Sequence, residues 1–141
     1  MATLTVTIKE ELVLNGKDVG CTNIHTYGAT EVYHRVVTIT NTEKTILLFG
    51  AAVEGGTIKD ATLDYLRITN LDTSNAIFLR IRDAAQEFMI QVDAGSSFIL
   101  TEDKLDADAT GSDETMALSQ IDSIKAVAAS STQSIEIFAA S

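Results

Sequence analysis

The residues best placed to do chemistry are the oxygen-bearing side chains of Asp106-Ala107-Asp108-Ala109-Thr110-Gly111-Ser112. Oxygens recur at alternate positions, and a glycine stands sixth, where a calcium loop makes its sharp turn. Asp106, Asp108, Thr110 and Ser112 would supply the early ligands, and Glu114, in the ninth position, would add another. The twelfth position of such a loop calls for a bidentate glutamate, and here it is Ala117. The flanking segments do not read as helices. The reading is therefore an exposed acidic loop over residues 101–116 and no resident cofactor or metal, with Ca2+ as the one candidate ion.

Nucleophilic and acid–base chemistry has fewer candidates. His25 and His34 are the two histidines, and both lie inside strand-like runs. A triad needs a nucleophile oriented by a base and that base by a carboxylate, and no GxSxG or related signature is present. Two histidines and the single cysteine, Cys21, also fall short of a structural zinc set. A lone cysteine allows no disulfide within the chain, and Cys21 reads as a structural residue. Gly55-Gly56 has no lysine placed as in a phosphate-binding loop. Tyr27, Tyr33 and Tyr65 form no sugar-stacking platform and are expected in a core or an interface. No catalytic residue is assigned, and the chain is expected not to be an enzyme.

Charge narrows the partners. Twenty acidic residues against ten Lys and Arg leave a net charge of −10, which repels polyanions and anionic membranes. Arg80 and Arg82 are spaced to share one strand face, a small basic spot suited to an acidic protein partner. Neither nucleic acid nor membrane is expected as a partner. The opening MATLTVTIKEELVL lacks a basic region followed by an apolar core, so it is not read as a signal peptide. No apolar run approaches the roughly 20 residues that cross a bilayer. These features lead to the expectation of a soluble protein made in a cytoplasm.

At 141 residues, one domain with a substantial core is expected. Its pattern is that of strands. In Leu66–Asn70 apolar and polar residues alternate. Leu71–Asn75 is rich in turn-forming side chains. Ile77, Leu79 and Ile81 then alternate with Phe78, Arg80 and Arg82, and Phe88, Ile90 and Val92 with Met89, Gln91 and Asp93. A turn at 93–96 precedes a further strand from Ser97. Upstream, Leu4, Val6 and Ile8 alternate with threonines, and Asn15-Gly16 signals a hairpin. Lys17–Gly20 is expected to extend that loop, Cys21–Tyr27 to return, and Gly28-Ala29-Thr30 to break the strand. Glu31–Thr40 is rich in β-branched residues. Thr45–Ala52 is nearly continuously apolar, as in a strand buried on both faces or one covered by a neighbouring subunit. Residues 117–129 fit a helix or a strand. The strand is preferred, paired with a closing strand over Ser134–Ala139. The expectation is one all-β domain over 1–141, an antiparallel β-sandwich of jelly-roll type with about ten short strands. Proline is absent, so edge strands need protection from charge, bulges or partner chains.

The phrases LRITNLD, N-x-I-F-L-R-I, V-D-A-G-S-S-F-I-L, I-D-S-I-K-A and S-I-E-I-F-A-A, with the Asp/Ala/Gly/Thr-rich loop between them, carry a resemblance. In strand pattern and turn phrases the chain resembles small virion structural proteins of tailed bacteriophages, marine ones in particular. The likeness runs from LTVTIKEELVLNGKD to the C-terminus and includes no site motif. It implies a non-enzymatic decoration or cement protein, a homotrimer binding the major capsid protein across neighbouring subunits on the capsid exterior. Residues 1–18 are the candidate arm or edge strand for contact with the shell or a neighbouring protomer. The alternatives are a tail, fibre or host-surface glycan-binding module, and a small calcium-dependent binding module using the Asp106–Glu114 loop.

Overall fold

The structure, a computed structural model, describes residues 2–50, 57–59, 62–83, 86–101 and 121–141. The chain divides into two compact units, Met1–Glu31 and Val32–Ser141. The first holds β1 (Ala2–Lys9), β2 (Val13–Leu14), β3 (Lys17–Asp18) and β4 (Thr22–Ala29). The second holds β5 (Val32–Ile39), β6 (Lys44–Gly50), β7 (Thr57–Lys59), β8 (Tyr65–Asn70), β9 (Ile77–Arg82), β10 (Glu87–Val92), β11 (Ser97–Leu100), β12 (Ser123–Ala128) and β13 (Gln133–Ala140). The protein is all-β, and the thirteen strands among the described residues exceed the expected ten or so.

In the larger unit two sheets make the sandwich. One has the order β11-β8-β13-β5 and the other β10-β9-β12-β6-β7. All pairs are antiparallel except β6 with β7. Period-two alternation turns one row of each strand inward. Ile39, Leu66, Ile68, Ile135 and Ile137 from the first sheet meet Leu47, Ile77, Leu79, Ile81 and Ile124 from the second in a single buried cluster. At roughly 1.5–3 kcal/mol for each fully buried aliphatic side chain, this cluster is the main stabilising term of the unit.

Two expectations about this unit are corrected. Within the chain the apolar run from Thr45 is not buried on both faces, since Leu48 is 46% exposed. Ile46 and Leu47 are nevertheless both buried because the register with β12 shifts between them: Ile124 faces Leu47, Lys125 faces Thr45, and Ile46 is the extra residue of a bulge. The Ile46 carbonyl accepts a 2.7 Å hydrogen bond from the Arg35 guanidinium. The second correction concerns β12. Residues 123–128 do form a strand, but it lies between β6 and β9, while β13 lies between β5 and β8. The turn at 129–132 therefore carries the chain from one sheet to the other instead of closing a hairpin.

In the smaller unit β1 and β4 form an antiparallel ribbon in continuous register from Ala2↔Ala29 to Lys9↔Thr22. At its far end β2 and β3 make a two-residue hairpin, so Lys17-Asp18 is strand and not an extension of the loop. Asn15 (φ 52°) and Gly16 (φ 77°) are both left-handed, as the type I′ turn requires. Gly28 and Ala29 continue β4, and the strand ends at Thr30-Glu31.

Candidate interaction surface

The ribbon places its side chains in two rows. Leu4 faces Tyr27, Val6 faces His25 and Ile8 faces Asn23 on one side, while Thr5 faces Thr26 and Thr7 faces Ile24 on the other. His25 and Tyr27 stack with ring centroids 6.4 Å apart. The tip is fastened to the ribbon by backbone bonds from Glu10 N–H to the Cys21 carbonyl (2.8 Å) and from Val19 N–H to the Leu12 carbonyl (2.9 Å). Gly20 makes this junction possible, because a Cβ there would lie 2.0 Å from the Glu10 carbonyl oxygen. Many of the large apolar side chains of the ribbon and tip stay exposed. Ile8, Leu12, Val13, Leu14, Val19 and Ile24 are six of the twelve large hydrophobic residues exposed among those described, and Val13 reaches 70%. Exposed apolar residues concentrated in one two-stranded ribbon and its hairpin are suited to contact with another surface.

Cys21 sits at the base of the tip, exposed. Its Sγ is 3.1 Å from Glu10 Oε2. That hydrogen bond, and then the carboxylate's charge, raise the thiol above its ordinary pKa, leaving less thiolate for nucleophilic chemistry.

On the outer face of the four-stranded sheet, Glu136 of β13 bridges its neighbours. His34 Nε2 is 2.9 Å from Oε1 and the Arg67 guanidinium 2.8 Å from Oε2. The hydrogen bonds from His34 and then Arg67 hold Glu136 below the usual carboxylate range. Arg67 also bonds Thr69, whose Oγ1 lies 2.8 Å from Ser97 Oγ. Phe138 packs beside His34 and meets Tyr65 edge-on. The outer face of the other sheet carries a second set. Glu43 lies 2.7 Å from Arg80 Nε and 3.1 Å from Lys125 Nζ, and Arg80 also bonds Glu87. The Lys125 hydrogen bond, with the charge of Arg80 acting in the same sense, lowers the Glu43 pKa. These clusters link strands and use their charges on one another.

The candidate calcium ligands Asp106, Asp108, Thr110, Ser112 and Glu114 lie outside the described residues, as does most of the acidic loop. His25 is on the ribbon and His34 on β5, each with the partners given above. Tyr65 is buried, Tyr33 packs against the core, and Tyr27 is half-buried. Arg80 and Arg82 do share one face of β9, but Arg80 is held by Glu43 and Glu87 and does not form a free basic spot. The ion clusters escaped sequence reasoning because His34 and Glu136 are 102 positions apart, and nothing local signals their meeting. Among the described residues no helix is long and apolar enough to cross a membrane. No family model, curated protein or solved structure matches the chain.

Proposed function

We propose that this chain is a non-enzymatic structural protein of a tailed-phage virion, a homotrimer that decorates the capsid exterior by binding the major capsid protein across neighbouring subunits. The observation that carries the reading is the N-terminal ribbon, which keeps Ile8, Leu12, Val13, Leu14, Val19 and Ile24 exposed on two strands and their hairpin. Such a ribbon is suited to adhesion. Bridging contacts of this kind stabilise an assembled shell by mass action, with no reaction involved.

The strand order supports the jelly-roll form of the sandwich. Apart from the added edge strand β7, eight strands lie in the rows β11-β8-β13-β5 and β10-β9-β12-β6. The chain passes from one row to the other at every connection but that between β9 and β10, the double Greek-key pattern of a jelly roll. The net charge of −10 suits a position outside the shell, away from packaged DNA.

The test mixes the purified protein with phage heads that lack it and measures sedimentation and heat resistance of the heads. Co-sedimentation in threes, with heads that withstand higher temperature, is expected. Heads that neither bind the protein nor gain resistance would overturn the reading. Light scattering after size exclusion should give a mass near three times 15.1 kDa.

A further inference from the structure

We propose that the ribbon is exchanged between copies of this chain, β4 of one copy adding antiparallel to the open edge of β5 in another. Among the described residues β5 pairs only with β13, and β4 only with β1. Each is eight residues long, so each is long enough to take a further strand on its other side.

Proteins protect such edges with proline, inward charge, bulges or very short strands. Of these protections β5 carries one, the charge of Arg35 on its inward row, and it lacks proline and bulges. The β5–β13 register is unbroken over all eight pairs, and the inward guanidinium of Arg35 is engaged by the Ile46 carbonyl of the opposite sheet. β4 carries no Asp, Glu, Lys or Arg, and β1, β4 and β5 together hold no carboxylate in a chain with twenty. Depletion of charge marks the core of a protein interface. A two-stranded ribbon is also marginal in water and gains independent stability from a third strand.

The occupant is a second copy because the two open edges adjoin in sequence. Only Thr30 and Glu31 separate β4 from β5, the length of a tight hairpin loop. A joint that could close a hairpin within one chain can open to place the same strand on a neighbour, which is the logic of domain swapping. Pairing about this joint sets Tyr27 opposite His34 and His25 opposite Val36. The row of the ribbon that contains Leu4 and Val6 then continues the outer face on which Val36 is 60% exposed.

The inference rests on the homo-oligomer of the proposed function. Its test uses full-length chains with Cys21→Ser, one carrying His25→Cys and the other Val36→Cys, mixed and oxidised. Neither chain can cross-link within itself. A 25–36 disulfide between chains, identified by peptide mass, is expected. An unlinked mixture, or linkage only between two Val36→Cys chains, would overturn exchange, the latter in favour of β5 pairing with itself. The unaltered protein provides the second measurement, and a monomeric mass at every concentration also overturns exchange. Heads that bind a trimeric chain showing no 25–36 linkage would keep the proposed function and reject this inference. Cross-linked chains that ignore heads would do the reverse.

Discussion

Glu136 stands between a histidine and an arginine from the strands on either side, and the acid stability of the sandwich depends on such carboxylates. Glu136, Glu43 and Asp72 all titrate below their ordinary values, Asp72 because the backbone N–H groups of Ser74 and Asn75 bond its Oδ1. A carboxylate lowered in the folded state binds protons more readily when the chain unfolds. Its contribution is complete above the unfolded value, about 4, and is lost as pH falls through the folded value. The melting temperature should therefore hold from neutral pH to about 4 and fall below it. In Glu136→Gln that fall should be shallower, and an unchanged acid limb by calorimetry would show that the bridge adds nothing. Gln133 presents the opposite case. It is buried, and both ends of its amide lack a hydrogen-bond partner among the described residues. Methionine has nearly the same shape and no polar group to desolvate. Gln133→Met should leave stability unchanged or raise it by about 1 kcal/mol. A loss of that size in urea unfolding would mean that the amide is paired in solution.

At the scale of elements, the ribbon's tip depends on one close approach of backbone to backbone. Any side chain at Gly20 meets the Glu10 carbonyl, and backbone cannot yield as a flexible side chain does. Gly20→Ala should detach the hairpin from the ribbon and leave the sandwich intact. Proteolysis within residues 10–21 should then quicken with little change in the main melting transition, whereas equal resistance to protease would contradict the junction described. The hairpin itself was legible, because Asn-Gly names its own turn. So were the inward rows, since Ile77, Leu79 and Ile81 announce their face by alternation. What alternation cannot announce is the neighbour. It assigned residues 123–128 to a strand yet paired them with the strand next in sequence, although β12 and β13 lie in opposite sheets. Pairing is decided by which inward rows fill the core together, a non-local matter. The bulge at Ile46 was hidden for a related reason. An apolar run reads as two buried faces, whereas one extra residue turns two neighbours to the same side. The ribbon was only partly legible, as residues 1–18 hold β1, β2 and β3 but its second long strand, β4, lies beyond them.

For the whole molecule, the two units should differ widely in stability. The sandwich has a continuous buried cluster drawn from both sheets, whereas the ribbon has two strands and leaves many apolar side chains in water. Local opening free energies follow buried contact, so marginal elements exchange amide hydrogens long before a core does. In dilute protein, amides of β1 and β4 should exchange fast and those of β8, β9, β12 and β13 should approach the global limit. On the proposed function, oligomerisation or attachment to a shell should slow exchange in the ribbon and change the sandwich centre little, because a partner would cover the ribbon's exposed apolar side chains. Hydrogen exchange read by mass spectrometry, at two protein concentrations and on decorated heads, makes the comparison directly. Ribbon amides already protected as strongly as the core in a dilute monomer would contradict this account, since the arm would then be stable without any partner.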